Sequence, residues 1–372
     1  MLTVFTIIGT RPEAIKLAPV IRQFRQRLDR VRVVVCVTGQ HRELLDPMLA
    51  FFEIRPDYDL NLMRPRQSLA YLTAAALQQL QEPLQIEKPD WMLVQGDTTT
   101  ALSGALAASY HQIKVGHIEA GLRTGDVRRP FPEEMNRRLI DHISTLLFAP
   151  TKTARQNLLN EGIAAEAIHL TGNTGLEALL QAISIEFDWG ATSPLALLPR
   201  RRRLILVTAH RRETVGEPLR QVCLAIRELA QRHDDGHHFV MPIHPNPDIS
   251  AITSDILEHQ PNISLVEPLD YLSLIHLMRR CHLILTDSGG IQEEAATLGV
   301  PCLVLRDVTD RPETIEAGIA KLVGLDKERI IAETTALLNS PDLYEPMAKA
   351  HNLYGDGKAA ERIVKIVLGA KS

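Results

Sequence analysis

Cysteine, aromatic residues and long apolar runs are all scarce in this chain. Its 372 residues include four cysteines, Cys36, Cys223, Cys281 and Cys302, none of them in a Cys-x-x-Cys spacing. Each sits in or beside an apolar stretch. That argues against a disulfide framework and a structural zinc site, and points to buried free thiols in a reducing cytosol. No run approaches the ~18 consecutive apolar residues that a membrane helix needs. The opening segment MLTVFTIIGTRPEAIK is apolar for only about seven residues and lacks a basic region, so it reads as a buried strand and not as a signal peptide. Charge of one sign is not in excess either: 41 Lys and Arg face 45 Asp and Glu, for a net charge of -4. A nucleic-acid polyanion is therefore a poor main partner. The 14 histidines show no His-Glu-x-x-His or other metal-ligand spacing.

What the chain does have is length and alternation. At roughly 150 residues per domain it holds about two domains. Its 45% hydrophobic and 23% charged residues exclude wholesale disorder. Short β-branched runs alternate with longer amphipathic segments. Strands are expected at Leu2–Ile8, Val31–Val37, Trp91–Gln95, Val115–Ile118 and Thr145–Ala149. The second half repeats the theme at Leu204–Thr208, Phe239–Met241, Ile263–Val266, Leu283–Thr286 and Cys302–Leu305. Near-continuously apolar strands separated by helices mean parallel sheets covered on both faces. The fold class is therefore α/β, with two Rossmann-like doubly wound domains. Ligands of such sheets bind beyond the carboxyl ends of the strands, here in an interdomain cleft. Composition alone marks Glu186–Arg203, with its prolines and the run Arg200–Arg203, as a solvated linker. His237 and His238, beside Asp234 and Asp235, read as a solvated turn.

Four loops after strands carry the chemistry. In Gly9–Lys16, GTRPEAIK, a proline opens a helix whose free first-turn amides attract anions, and Arg11 and Lys16 add positive charge. It is neither a Walker A loop nor a Gly-x-Gly-x-x-Gly fingerprint. In Gln95–Thr100, QGDTTT, Asp97 stands between a buried strand and a helix, where it can cap the helix or carry function. In Gly116–Asp126, GHIEAGLRTGD, Glu119 is a carboxylate amid small apolar residues; desolvation there raises a pKa and suits proton transfer. Glu133 and Glu134 follow Phe131-Pro132 at a helix start, where one of them complements the helix dipole. In Leu285–Pro301, LTDSGGIQEEAATLGVP, Ser288, Gly289 and Gly290 leave backbone amides open to a phosphate. Glu294 lies one turn into that helix, placed to accept hydrogen bonds from two ribose hydroxyls. His210, in TAHRRE, directly follows a strand.

Taken together, GTRPEAIK, TGQHRE, GDTTT, HIEAGLRTGD, FPEE, TAHRRE, HPNP, LTDSGGIQEEA and RDVTDRPE, in this order, resemble the bacterial non-hydrolysing UDP-N-acetylglucosamine 2-epimerases. The resemblance extends through HNLYGDGKAAERI near the end. It implies a glycosyltransferase-B-like fold with a C-terminal helix that returns to the first domain. The N-terminal domain, carrying the acid and base residues, is then 1–171 plus 355–372, and the UDP-binding domain is 172–354. The implied reaction is reversible inversion at carbon 2 of UDP-GlcNAc to UDP-ManNAc, without cofactor or metal. The implied route is anti elimination of UDP to 2-acetamidoglucal followed by syn re-addition. Asp97 is the implied proton-abstracting base, with Glu119 and Glu133 sharing proton return and ring positioning. His210 is a diphosphate or leaving-group contact, and Arg11 and Lys16 contact the substrate. Ser288, Gly289 and Gly290 hold the phosphates, Glu294 the ribose, and Arg311 the diphosphate or sugar. Gln40, Arg66, Gln67, Arg212 and His244 match positions of a second, activating UDP-GlcNAc. A cytoplasmic homodimer supplying cell-surface polysaccharide precursors completes the expectation. The rivals are a glycosyltransferase of the same fold, a hydrolysing epimerase and a non-catalytic UDP-sugar sensor.

Overall fold

The computed structural model describes residues 1–39, 42–64, 67–190, 193–211, 214–233, 236–349 and 353–370. The chain divides into two compact units, Met1–Leu180 with Tyr354–Ser372, and Gln181–Leu353.

The first unit is built on seven parallel strands. They are β1 (Leu2–Ile8), β2 (Val31–Val37), β3 (Tyr58–Asp59), β4 (Trp91–Gln95), β5 (Lys114–Ile118), β6 (Leu146–Ala149) and β7 (Ile168–Leu170), in the order β3-β2-β1-β4-β5-β6-β7. A parallel neighbour can be reached only by a crossover, and helices supply it. They are α1 (Arg11–Arg25), α2 (Arg42–Phe51), α3 (Leu69–Glu87), α4 (Thr99–Tyr110), α5 (Glu133–Ile143), α6 (Lys152–Asn160) and α7 (Gly175–Ser184). Central strands are buried on both faces, so β1 is fully enclosed from Val4 onward. Helix α4 lies close to the sheet because its residues are small. A Cβ at Gly104 would sit 2.7 Å from the Ile7 side chain.

The second unit repeats the plan with six parallel strands. They are β8 (Arg203–Thr208), β9 (His237–Pro242), β10 (Ile263–Val266), β11 (Cys281–Thr286), β12 (Cys302–Val304) and β13 (Ala320–Leu322), in the order β10-β9-β8-β11-β12-β13. Its helices are α8 (Glu217–Arg232), α9 (Pro247–Leu257), α10 (Tyr271–Arg280), α11 (Gly289–Leu298), α12 (Pro312–Glu316), α13 (Lys327–Asn339) and α14 (Pro341–Met347). The last helix, α15 (Ala359–Gly369), belongs to the first unit. There the Ala360 amide donates to both Glu177 carboxylate oxygens at 3.1 Å, and Asn173 N donates to the Tyr354 carbonyl at 2.8 Å. All four cysteines are buried.

Two expectations are corrected here. The segment expected as a solvated linker belongs to the second unit. Phe187 stacks on His276 with ring centroids 4.9 Å apart, Arg280 lies over the Trp189 ring, and its guanidinium donates to the Pro199 carbonyl at 2.7 Å. Leu195 and Leu198 of the segment are buried, and Arg202 donates to the His237 carbonyl at 3.5 Å. Second, His237 and His238 are buried at the start of β9. His238 Nε2 lies 2.8 Å from Ser264 Oγ on β10.

Burial of those histidines has a consequence for stability. Desolvation lowers the pKa of His238, and that of His282 to about 4. A histidine with a depressed folded-state pKa takes up its proton mainly when unfolded, so stability is lost as pH falls from about 6.5 toward 4. Hydrogen-exchange protection of the β8, β9 and β11 amides, corrected for intrinsic rates, is therefore expected to be lower at pH 5 than at pH 7. Equal protection at the two pH values would contradict this reading.

Candidate active site

In each sheet the chain order reverses once. In the first unit this happens between β1 and β4, and in the second between β8 and β11. Connections leave such a pair toward opposite faces, and a crevice opens beyond the strand ends. The loops after β1 and β4 flank one crevice, and those after β8 and β11 the other. Four of the loops singled out in the sequence thus stand at the two places where the topology makes room for a ligand.

In the first unit, β5 ends at Ile118 and Glu119 follows with φ 70°, a left-handed conformation uncommon for a residue with a side chain. Its carboxylate is desolvated, as expected, with the side chain 8% exposed, but it has polar partners. It forms an ion pair with Lys16 of α1 and accepts a 2.7 Å hydrogen bond from Gln95 Nε2. Lys16 is thereby held against a carboxylate and not left as an exposed charge.

Asp97 lies in the turn after β4, opened by Gly96 at φ 70°. Its carboxylate pairs with Arg137 of α5, and its carbonyl accepts from Asn136 Nδ2 at 2.8 Å. Thr98, not Asp97, caps α4, with its hydroxyl accepting from Ala101 N. Glu133 opens α5, the helix that supplies Asn136 and Arg137, and is partly exposed. Glu134 is fully buried and accepts from Thr124 N at 3.1 Å, so it organises the preceding loop. Arg11 is the partly exposed first residue of α1.

The N-terminal turn of α1 carries a carboxylate of its own. Glu13 is buried and accepts from Gly9 N at 2.9 Å, Thr10 N at 2.6 Å, Thr10 Oγ1 at 2.8 Å and Thr98 Oγ1 at 2.7 Å. Burial pushes its pKa up to about 7 against the lowering effect of those donors. Glu13 joins the loops after β1 and β4, and it occupies the Gly9 and Thr10 amides just ahead of α1. Its Thr-x-x-Glu spacing is a capping-box signal present in the sequence.

In the second unit, Asp287 directly follows β11, fully buried, and holds the neighbouring loop. It accepts from His210 N and Arg211 N, both at 2.8 Å, and from Thr214 Oγ1 at 3.0 Å. His210 Nδ1 is 3.4 Å from the other Asp287 oxygen, and its ring stacks on His244 with centroids 5.7 Å apart. Ser288 caps α11, and a Cβ at Gly290 would meet nothing within 4 Å. At Gly289 it would lie 3.7 Å from the Arg311 guanidinium carbon. Arg311 is buried, donating through Nε to Glu293 at 2.5 Å and pairing with Asp310 at 2.8 Å. A helix N-terminus with an arginine beside it suits an anionic ligand. Glu294 accepts from the Tyr271 hydroxyl at 3.4 Å. Sequence reasoning missed the part Asp287 plays, because its partners lie more than seventy residues earlier.

Of the residues matched to an activator position, Gln67 accepts from Arg64 N at 3.0 Å ahead of α3, and His244 Nδ1 accepts from Asn246 N at 3.2 Å. Gln40, Arg66 and Arg212 lie outside the described residues.

The family model described as UDP-N-acetylglucosamine 2-epimerase matches residues 24–368. The UDP-N-acetylglucosamine 2-epimerase of Escherichia coli K12 is 47% identical over 369 residues, covering 97% of each chain. The crystal structure of the UDP-GlcNAc 2-epimerase of Neisseria meningitidis bound to UDP-GlcNAc is 45% identical. It superposes with a TM-score of 0.94, over 99% of this chain and 100% of that one. A glycotransferase of kitacinnamycin shares the fold alone, at 13% identity and a TM-score of 0.66 over 98% of each chain.

Proposed function

Because the chain belongs to the UDP-N-acetylglucosamine 2-epimerase family, we propose that it interconverts UDP-GlcNAc and UDP-ManNAc by the division of labour its two crevices suggest. In UDP-GlcNAc the carbon-2 hydrogen and the carbon-1 oxygen substituent are axial and opposed. Asp97 takes the carbon-2 proton, the C–H electron pair becomes the carbon-1 to carbon-2 double bond, and the carbon-1 to oxygen pair leaves with UDP. The α11 amides at Gly289 and Gly290 and the Ser288 hydroxyl, with His210 and Arg311, receive the charge that develops on the diphosphate. Glu294 holds the ribose. A proton returned to carbon 2 on the opposite face, as UDP re-adds, gives the manno sugar. Glu119 and Glu133 serve that return and the positioning of the ring, and Arg11 and Lys16 complete the substrate contacts.

The observation that carries this reading is the grouping of carboxylates, Asp97 and Glu119, at the strand ends of one unit while the other offers an open helix N-terminus. A glycosyltransferase has no need of the first group. Incubation with UDP-GlcNAc alone is expected to give UDP-ManNAc, with no acceptor required and no free ManNAc released. Transfer only when an acceptor is added would favour the glycosyltransferase instead. The same reading extends to a cytoplasmic homodimer with a second UDP-GlcNAc as activator, touching Gln67 and His244. Started from pure UDP-ManNAc, the assay then shows a lag that added UDP-GlcNAc abolishes; immediate full turnover would remove the activator.

A further inference from the structure

The His117 side chain lies buried beneath both carboxylate loops, and the reaction above gives it no part. Its Nδ1 is 2.6 Å from Asp141 Oδ1, and its Nε2 is 2.8 Å from the Gly96 carbonyl oxygen. A carbonyl and an ionised carboxylate only accept, so each ring nitrogen faces an acceptor, and both contacts are hydrogen bonds only with two N–H donors on the ring. Asp141 stays ionised. Burial pushes its pKa up, but His117 and Arg123 outweigh that and hold it below the usual carboxylate range. Its second oxygen accepts from Arg123 Nη2 at 2.7 Å and from Gly121 N at 3.3 Å. Gly96 directly precedes Asp97, and Gly121 closes the turn that Glu119 opens.

We infer that His117 and Asp141 form a positioning pair that holds the turns bearing Asp97 and Glu119 in place, and that they do so only while the imidazole carries both protons. The role rests on the reading of Asp97 as the proton-abstracting group. Charged groups on the elements around the ring are Asp141, Glu134, Arg137 and Arg138 of α5, Arg123 after β5, Asp97 after β4, Glu119, and Glu161 after α6. Glu161 pairs with Arg123 at 2.6 Å. Replacing Asp141 by asparagine keeps the volume, removes the anion and leaves the Arg123 cation. The ring then loses the anion that favours its second proton, and a neutral ring has a single N–H to divide between residue 141 and the Gly96 carbonyl.

The test is the pH profile of kcat for Asp141→Asn between pH 6 and 8, read beside KM, the Kd for UDP and Tm. Wild-type kcat is expected not to fall over this range. In the variant, kcat should drop roughly tenfold per pH unit above an ordinary histidine pKa, about 25-fold in all, with UDP binding unchanged. A variant that loses Tm but keeps the wild-type profile shape would overturn the inference. Nitrogen NMR of the unaltered protein provides a second readout that needs no variant to fold. Both His117 ring nitrogens should remain protonated at pH 8, and a neutral ring at pH 7 would also overturn it. Full activity of Asp97→Asn would instead defeat the underlying reading, whatever the state of His117.

Discussion

Asp97→Asn is expected to bind UDP as tightly as the unaltered chain while epimerising UDP-GlcNAc about 100- to 10,000-fold more slowly, the usual range for removing a general base. The substitution preserves shape. The amide that replaces the carboxylate still presents a side-chain oxygen to Arg137, and the backbone carbonyl still accepts from Asn136. What is lost is a site that can receive a proton. The nucleotide contacts proposed above are in the other unit, on α11 and the loops after β8 and β12, so UDP affinity measured by calorimetry should hold. A loss in kcat with KM unchanged would locate the carboxylate in the chemical step. Turnover like that of the wild type would remove Asp97 from the mechanism.

Gly121→Ala is expected to lower the stability of the first unit by about 3 kcal/mol. A Cβ there would lie 2.2 Å from the Ala154 carbonyl oxygen and 2.8 Å from Leu158 Cγ, and the backbone sits at φ 87°. The left-handed conformation costs a side-chain-bearing residue roughly 1–2 kcal/mol, and overpacking adds about 1–3. Relief would require α6 to move. That helix is fixed at its start by Thr151 Oγ1 accepting from Ala154 N at 3.1 Å, and further along by Asn157 Nδ2 donating to the Gly121 carbonyl at 3.0 Å. Urea denaturation, read with exchange protection of the β5 and β6 amides, measures the effect. An unchanged midpoint would show that the turn below Glu119 is looser than this packing implies.

Much of the architecture was legible in the sequence because parallel sheets leave a strong trace. Both faces of a central strand are covered, so β1, β2, β4 and β11 read as largely apolar runs, and each return to the sheet needs a helix. The strands β3, β7 and β13 span two or three residues and carry no period to detect. The buried pair His237 and His238 was misread because polar residues beside two aspartates resemble a turn, and only the β9 register places them inside.

The site was legible to the same depth. The loops after β1, β4, β5, β8 and β11 could be named from their position after strands. Their partners could not. Lys16 is 103 residues from Glu119, Thr98 is 85 from Glu13, and Asp287 is 77 from His210. Such pairings leave no local pattern, since they arise from strands that neighbour one another only after the sheet has formed. The expectation of a partly desolvated Glu119 was met, but the cation that accompanies it could not be foreseen, because it comes from a different crossover.

Hydrogen exchange at the sugar ring tests the central claim most directly. Incubated with UDP-GlcNAc in heavy water, the protein is expected to introduce one deuterium at carbon 2 of UDP-ManNAc, and on reversal of UDP-GlcNAc as well, as mass spectrometry and proton NMR would show. UDP-ManNAc formed with its original hydrogen retained at carbon 2, and no solvent label in either sugar, would contradict removal and return of that proton by solvent-exchanging carboxyl groups.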